Sequence, residues 1–253
     1  QCLVGSEMCI RDSDITPYNT FEASYRLFQT VEYWPKGTTF VSVVDPGVGS
    51  SRKSVVALTK TGQYIVTPDN GTLSYIKKDV GIVAVREISE VENRCSNTEL
   101  SYTFHGRDVY AYTGAKLASG HISFEEVGPE LPVDKILEFP VVETIIEENL
   151  VRGAIDILDV RFGSLWTSIT RDDFYALEPN FGDRFEVTIF NNDMLVYQNQ
   201  VTYGKSFADV RIGQPIIYIN SLYRVGLAIN QGSFAKAYNV GLGSNWHLSL
   251  IHI

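Results

Sequence analysis

Three cysteines in 253 residues are too few for a disulfide framework, and with no C-x-x-C pair they lack the spacing of a structural zinc site. No apolar run approaches the roughly 18–20 residues of a membrane-spanning helix. Basic residues are the minority, with 21 Lys and Arg against 30 Asp and Glu and a net charge of −9. That balance excludes nucleic-acid binding through a basic face and a polybasic membrane anchor. What is present is 44% apolar and 12% aromatic residues, a composition of packed cores rather than disorder. The length suits one large domain or two modest ones, and the whole reads as an acidic cytoplasmic protein.

Both ends read as foreign. Residues 1–13 (QCLVGSEMCIRDS) hold Cys2 and Cys9, show no helix or strand period, and lack the basic start and small-residue cleavage site of a signal peptide. Residues 247–253, ending in LSLIHI, are equally detached. Both resemble translated adapter sequence and are set aside from the fold. His247 and His252 go with the second tail, so His105 and His121 remain for chemistry, and Cys95 is the sole cysteine between the tails.

Residues 14–138 alternate helix and strand signals. FEASYRLFQTV (21–31) repeats apolar residues at helical spacing, with Thr20 or Asn19 as N-cap. TFVSVVD (39–45) is β-branched and apolar, as a buried strand of a parallel sheet would be. SVVALT (54–59), YIVTP (64–68) and IVAVREI (82–88) are further strands, residues 72–77 start a short helix, and residues 108–119 form a helix closed by Gly120. This half is α/β, with a mixed or parallel sheet. Residues 129–140 read as a Pro-containing linker. Beyond them, 153–160, 185–190, 194–202, 214–220 and 225–230 are strand-like and turn-separated, so residues 139–246 form a small all-β barrel or sandwich.

VVDPGVGSSR (43–52) is the densest motif. An apolar strand runs into Asp45, then into a Pro-Gly turn where glycines let backbone N–H groups approach a ligand. Arg52, seven residues on, can return to face Asp45. Asp-Pro-Gly is equally a plain turn, and Asn70-Gly71 in PDNG is a common turn pair. In FHGRD (104–108), His105 stands before a helix start as a polar site group or an ordinary cap. His121 reads as a surface residue. Three other patterns fail: the Gly47/Gly49 pair is not G-x-G-x-x-G, Gly204-Lys205-Ser206 lacks the upstream P-loop glycine, and no G-x-S-x-G is present.

In order and spacing, VVDPGVGSSR, PDNG and TFHGRD, with DITPYN, YWPKGTTF, DVRFGSLWTSI and NSLYRVGLAINQG, resemble the S-adenosylmethionine (SAM) hydrolase (adenosine-forming) family. That family is related to the fluorinase and chlorinase enzymes. The resemblance implies an N-terminal α/β domain, a C-terminal β-barrel, and a homotrimer with each active site between the N-domain of one subunit and the C-domain of its neighbour. It implies a water-handling set of Asp45, Arg52 and His105. It implies that Tyr18 packs on the nucleoside, that Asn70 joins the substrate contacts, and that Asp159, Phe162, Ser164, Ser221, Ile229 and Asn230 contact the ligand from the barrel. No metal or redox cofactor is implied; SAM is the substrate.

The implied chemistry is coherent. A sulfonium leaves as a neutral thioether, so a water aligned behind C5′ and a carboxylate to take its proton suffice. A halide site should avoid a carboxylate, which repels the anion, and the halogenating relatives carry a non-acidic residue where this chain has Asp45. The fluorinase also has a serine at the position of Gly106. The alternatives are a SAM-dependent halogenase and a non-catalytic adenosyl-binding trimer. The chain departs from the family pattern in lacking its front T-D-F-G strand, in Ser164 standing for the usual Asn, and in Leu222-Tyr223-Arg224.

Overall fold

The computed structural model describes residues 2–3, 6–7, 15–98, 100, 102–140, 142–159 and 162–253. The chain divides into two compact units, Gln1–Phe139 and Pro140–Ile253. Of the tail at 1–13, the described residues form only a short antiparallel pair, Cys2–Leu3 with Ser6–Glu7. The rest of that tail, Asp14, Val160 and Arg161 lie outside the described residues. Among the described residues no helix is long and apolar enough to cross a membrane.

The first unit opens on helix α1 (Thr20–Val31), where Asn19 is the N-cap and its side chain accepts the Glu22 N–H. The helical period buries Ala23, Tyr25, Leu27, Phe28 and Val31, and Tyr75 stacks on Phe28 with ring centroids 5.9 Å apart. A sheet follows, of β1 (Thr39–Val41), β2 (Ser54–Thr59), β3 (Tyr64–Pro68), β4 (Ile82–Glu87) and β5 (Glu130–Leu131). Its order is β1-β3-β2-β4-β5. Only β1 and β3 pair in parallel; the other ladders are antiparallel.

The sheet is therefore mixed, and one expectation is corrected. Residues 39–45 are not a buried strand: the ladder stops at Val41, on the edge, and Val41 and Val43 are exposed. The β2–β3 hairpin, closed by the turn at Thr61 and Gly62, takes the centre, where Val55, Val56, Ile65 and Val66 are fully buried. A helix does follow His105, first as a π-helical stretch over Gly106–Ala111 and then as α2 (Tyr112–Ala118). Gly120 closes it at φ +70°.

Residues 129–139 are not a free linker. Leu137 N–H donates to Asp69 Oδ1 at 2.9 Å and Phe139 N–H to Ser74 Oγ at 2.9 Å, so the strap is fastened to the first unit. Burial pushes the Asp69 carboxyl up, against the Leu137 N–H and Lys53, which pull it down. An acid with a raised folded-state pKa is penalised by folding once pH exceeds its unfolded value, and not below it. Asp69→Asn, which keeps the acceptor for Leu137, is expected to raise the melting temperature at pH 7. The difference should vanish near pH 3, which thermal melts across pH would show.

The second unit is a closed barrel. Its strands are β7 (Leu150–Leu158), β8 (Leu165–Thr170), β9 (Arg184–Asn191), β10 (Met194–Tyr203), β11 (Pro215–Ile219), β12 (Arg224–Ile229) and β13 (Gly243–His252), with β6 (Ile145–Glu147) laid on β7. The order β8-β12-β11-β10-β9-β13-β7 closes through a β7–β8 ladder. Closure removes the sheet edges. Period-two alternation points Phe185, Val187 and Ile189 inward.

Two strands of the seven-stranded ring were not anticipated from sequence. β8 completes the ring, and β13 contains residues set aside as a foreign tail. Leu248 and Leu250 are fully buried and pair with Ile189 and Val187. The exclusion of residues 247–253 from the fold is thus corrected. In LSLIHI, period two puts Leu248, Leu250 and His252 on one face, opposite Ile189, Val187 and Phe185, and Ser249 on the other, which fits the slot between β9 and β7.

Candidate active site

In the first unit the strand tip after β1 turns through Pro46 and Gly47. Val48 N–H donates to Asp45 O at 3.3 Å and Ser50 N–H to Gly47 O at 3.0 Å. Gly49 takes φ +79°, a conformation that glycine adopts without a Cβ penalty. The turn brings Arg52 back onto Asp45. Arg52 Nε donates to Oδ1 at 2.8 Å, and Nη2 donates to Oδ2. Both side chains are below one-tenth exposed. This is a bidentate, charge-assisted pair.

The rest of the guanidinium is also engaged. Nη1 donates to Ser54 Oγ at 2.9 Å, Ser54 Oγ donates to Tyr110 Oη at 3.1 Å, and the guanidinium carbon sits 5.5 Å from the Tyr110 ring centroid. Burial pushes the Tyr110 hydroxyl up, which keeps it a neutral donor and acceptor.

His105 is buried with Nδ1 3.3 Å from Arg52 Nη2. Arginine only donates, so Nδ1 is the acceptor and the imidazole proton is on Nε2. That Nε2 is buried and has no hydrogen-bond partner among the described residues. A buried donor without a partner is costly, and here it marks a place for a water or ligand oxygen. Glu90 Oε1 stands 4.0 Å from Nδ1, itself bridged to Arg94 Nη1 at 2.7 Å. Asp45, Arg52 and His105 are thus brought together.

Asn70 and Tyr18 stand differently. Asn70 Nδ2 donates to Val44 O at 2.9 Å and its Oδ1 accepts from Thr72 Oγ1 at 2.7 Å. The amide braces the backbone beside Asp45 rather than facing an open space. Tyr18 is 79% exposed and sits at φ +68°, a region that aromatic L-residues seldom adopt. Buried Glu22 holds that turn by accepting the Thr16 N–H at 2.8 Å.

In the second unit a cavity of about 730 Å³ opens on the barrel. Asp159, Phe162, Ser164, Ser221, Ile229 and Asn230, the barrel residues anticipated from sequence, all line it. The turn that presents the first three is closed by Asp159 N–H to Ser164 O at 2.8 Å and pinned by Ala235 N–H to Gly163 O at 3.0 Å. Asn230 Nδ2 donates to Val210 O at 2.9 Å, so its amide shapes the wall. Trp166, Phe207 and Tyr218 also line the cavity and were not foreseen. Aromatic walls with a few convergent polar groups suit a planar, polar-edged ligand. Trp166 shares the DVRFGSLWTSI segment and falls on the same strand face as Ser164 by period two. No sequence signal singles out Phe207 or Tyr218.

Comparison with known proteins connects both units. Family models described as the SAM hydroxide adenosyltransferase N-terminal domain and C-terminal domain match residues 10–128 and 153–247. The chain is 27% identical to a fluorinase of Actinopolyspora mzabensis over 90% of its own length and 82% of the relative. It is 30% identical to an (R)-S-adenosyl-L-methionine hydrolase of Thermus thermophilus over 90% of its length and 82% of that protein. Among solved structures, an uncharacterized conserved protein from Thermotoga maritima superposes with a TM-score of 0.86 at 31% identity, covering 95% of this chain and 87% of that one. With both units matched, the chain belongs to the SAM hydroxide adenosyltransferase family.

Proposed function

We propose that the protein hydrolyses SAM at C5′ to give adenosine and L-methionine, with Asp45 as base. The observation that carries this reading is the buried Asp45–Arg52 pair beside the unpartnered His105 Nε2. A halide would meet a carboxylate there and be repelled; a water finds an acceptor in Asp45 and a donor in His105. The water oxygen forms the C5′–O bond as the C5′–S bond breaks. The sulfur leaves with the bonding pair as a neutral thioether, and the water's proton passes to Asp45. Arg52 holds the carboxylate in register, and Asn70 steadies the strand tip behind it. The barrel cavity, with Asp159, Phe162, Ser164, Ser221, Ile229 and Asn230, and the exposed Tyr18 bind the adenosyl part. No metal or redox cofactor enters the scheme.

Incubation of the purified protein with SAM, followed by chromatography, is expected to show adenosine and methionine in equal amounts, with no dependence on fluoride or chloride and no effect of a chelator. Formation of a 5′-halo-adenosine would overturn the choice of water. Binding of adenosine without turnover would favour a non-catalytic binder.

The same reading includes a homotrimer in which the first unit of one subunit meets the barrel of its neighbour. Co-expression of Asp45→Asn chains with Asp159→Ala/Phe162→Ala chains tests it. Each is inactive alone, but a cyclic arrangement assembled at random leaves about a quarter of the sites with both halves intact. Recovery near that fraction of wild-type activity is expected. No recovery in mixed trimers would mean that each site is built within one chain.

A further inference from the structure

One row of the barrel carries a hydrogen-bonded chain into the cavity. Trp166 on β8, Gly226 on β12 and Tyr218 on β11 are register partners across adjacent strands. The middle residue must be glycine: a Cβ at Gly226 would lie 2.6 Å from Tyr218 Cζ. With that position empty, Tyr218 lies over β12 and Trp166 Nε1 reaches its hydroxyl at 2.8 Å. Phe207 packs on the other side of the Tyr218 ring, centroids 5.2 Å apart. Ser164 is within hydrogen-bonding reach of the same hydroxyl, and Trp166, Tyr218 and Ser164 all line the cavity.

The direction of the chain follows from the donor inventory. An indole N–H only donates, so Tyr218 Oη accepts from Trp166. Tyr218 and Ser164 then bring two hydroxyl protons, of which one is used in the bond between them. One O–H is left over, whichever of the two residues comes last. Because both residues line the cavity, that O–H stands at its wall. Burial raises the Tyr218 pKa, so the phenol keeps its proton at neutral pH.

We propose that Tyr218, oriented by Trp166 and acting with Ser164, is a specificity-determining residue that presents one hydroxyl donor to an unprotonated ring nitrogen of the purine bound in the barrel cavity. This rests on the adenosyl reading of the site. A single hydroxyl donor selects an acceptor in the heteroaromatic edge, whereas the aromatic walls of Phe162, Trp166 and Phe207 take the ring faces without such selection.

Calorimetric titration with adenosine and with 1-, 3- and 7-deazaadenosine, each lacking one ring acceptor, tests the proposal. For the wild-type protein one of the three analogues is expected to bind about tenfold more weakly than adenosine, the scale of one neutral hydrogen bond. Tyr218→Phe keeps the ring over Gly226 and removes the hydroxyl. It should weaken adenosine several-fold and shrink the gap between adenosine and that analogue. Ser164→Ala should act in the same direction, and the two losses should not add, because both break one chain. Thermal melts separate these effects from misfolding. The proposal is overturned if Tyr218→Phe binds adenosine as tightly as wild type, or if all three analogues match adenosine on the wild-type protein. Wild-type protein that binds no adenosine at all would sink the adenosyl reading itself, a result distinct from either.

Discussion

Asp45→Asn is expected to lower kcat for SAM hydrolysis by about 10²–10⁴, the range a positioned general base supplies. The substitution is nearly isosteric, and an amide oxygen can still accept the Arg52 Nε proton that Oδ1 now receives at 2.8 Å. What it cannot do is take a proton from water. Adenosine binding should remain, because the cavity proposed to hold the adenosyl part is built in the barrel from residues such as Phe162 and Ser164. The loss should therefore appear in kcat and in kcat/KM, with little change in adenosine affinity. Single-turnover rates and calorimetry on the same variant measure the two quantities. Undiminished turnover would remove Asp45 as base and leave its pair with Arg52 as a structural clamp.

How far the sequence announced this site depends on distance along the chain. Asp45 and Arg52 are separated by one turn whose residues, Pro46, Gly47 and Gly49, declare its shape, so their meeting is a local event. Local reading showed His105 only as a polar residue before a helix start, and its place in the set came from the family resemblance; its approach to Arg52 is set by how the helix after it packs, and local periodicity carries no such information. Ser164 and Asn230 illustrate the opposite limit. Nothing local joins residues in the turn before β8 and after β12; only the antiparallel β8–β12 ladder, which sets Leu165 opposite Leu227, brings their surroundings together. Their place in the cavity came from the family resemblance. Tyr218 escaped for a related reason: its partner Trp166 lies across an intervening strand, and the contact depends on the absent side chain at Gly226.

The fold was legible where periods were clean. The heptad-like burial of α1 and the alternation in β9 gave the right element types. Residues 39–45 misled because an apolar, β-branched run looks the same at an edge as at a centre, and the choice between them is made by which strands pair beside it. Residues 248–253 misled because they were judged by their flanks. Their alternation, Leu248, Leu250 inward and Ser249 between, is the signal that the barrel uses.

Arg52→Lys is the second substitution with a large expected effect. Lysine keeps the charge but offers a point ammonium where the guanidinium now reaches Asp45 through two nitrogens, Ser54 at 2.9 Å and His105 at 3.3 Å. At most one or two of those contacts survive. The carboxylate is then free to rotate, and Nδ1 of His105 loses the donor that fixes its tautomer. A fall of about 10²-fold in kcat is expected, since misplacement of about 1 Å in a catalytic group costs that much. The decisive comparison is the double variant. If Arg52 acts through Asp45, adding Arg52→Lys to Asp45→Asn should cost little further rate, because the group it positions is already disabled. If instead Arg52 contacts the reacting atoms independently, the two losses should multiply. Stability needs the same cycle, because an unpaired buried charge costs about 3–5 kcal/mol. Arg52→Ala alone is expected to lower the melting temperature more than Asp45→Asn/Arg52→Ala, in which both charges of the buried pair are removed together.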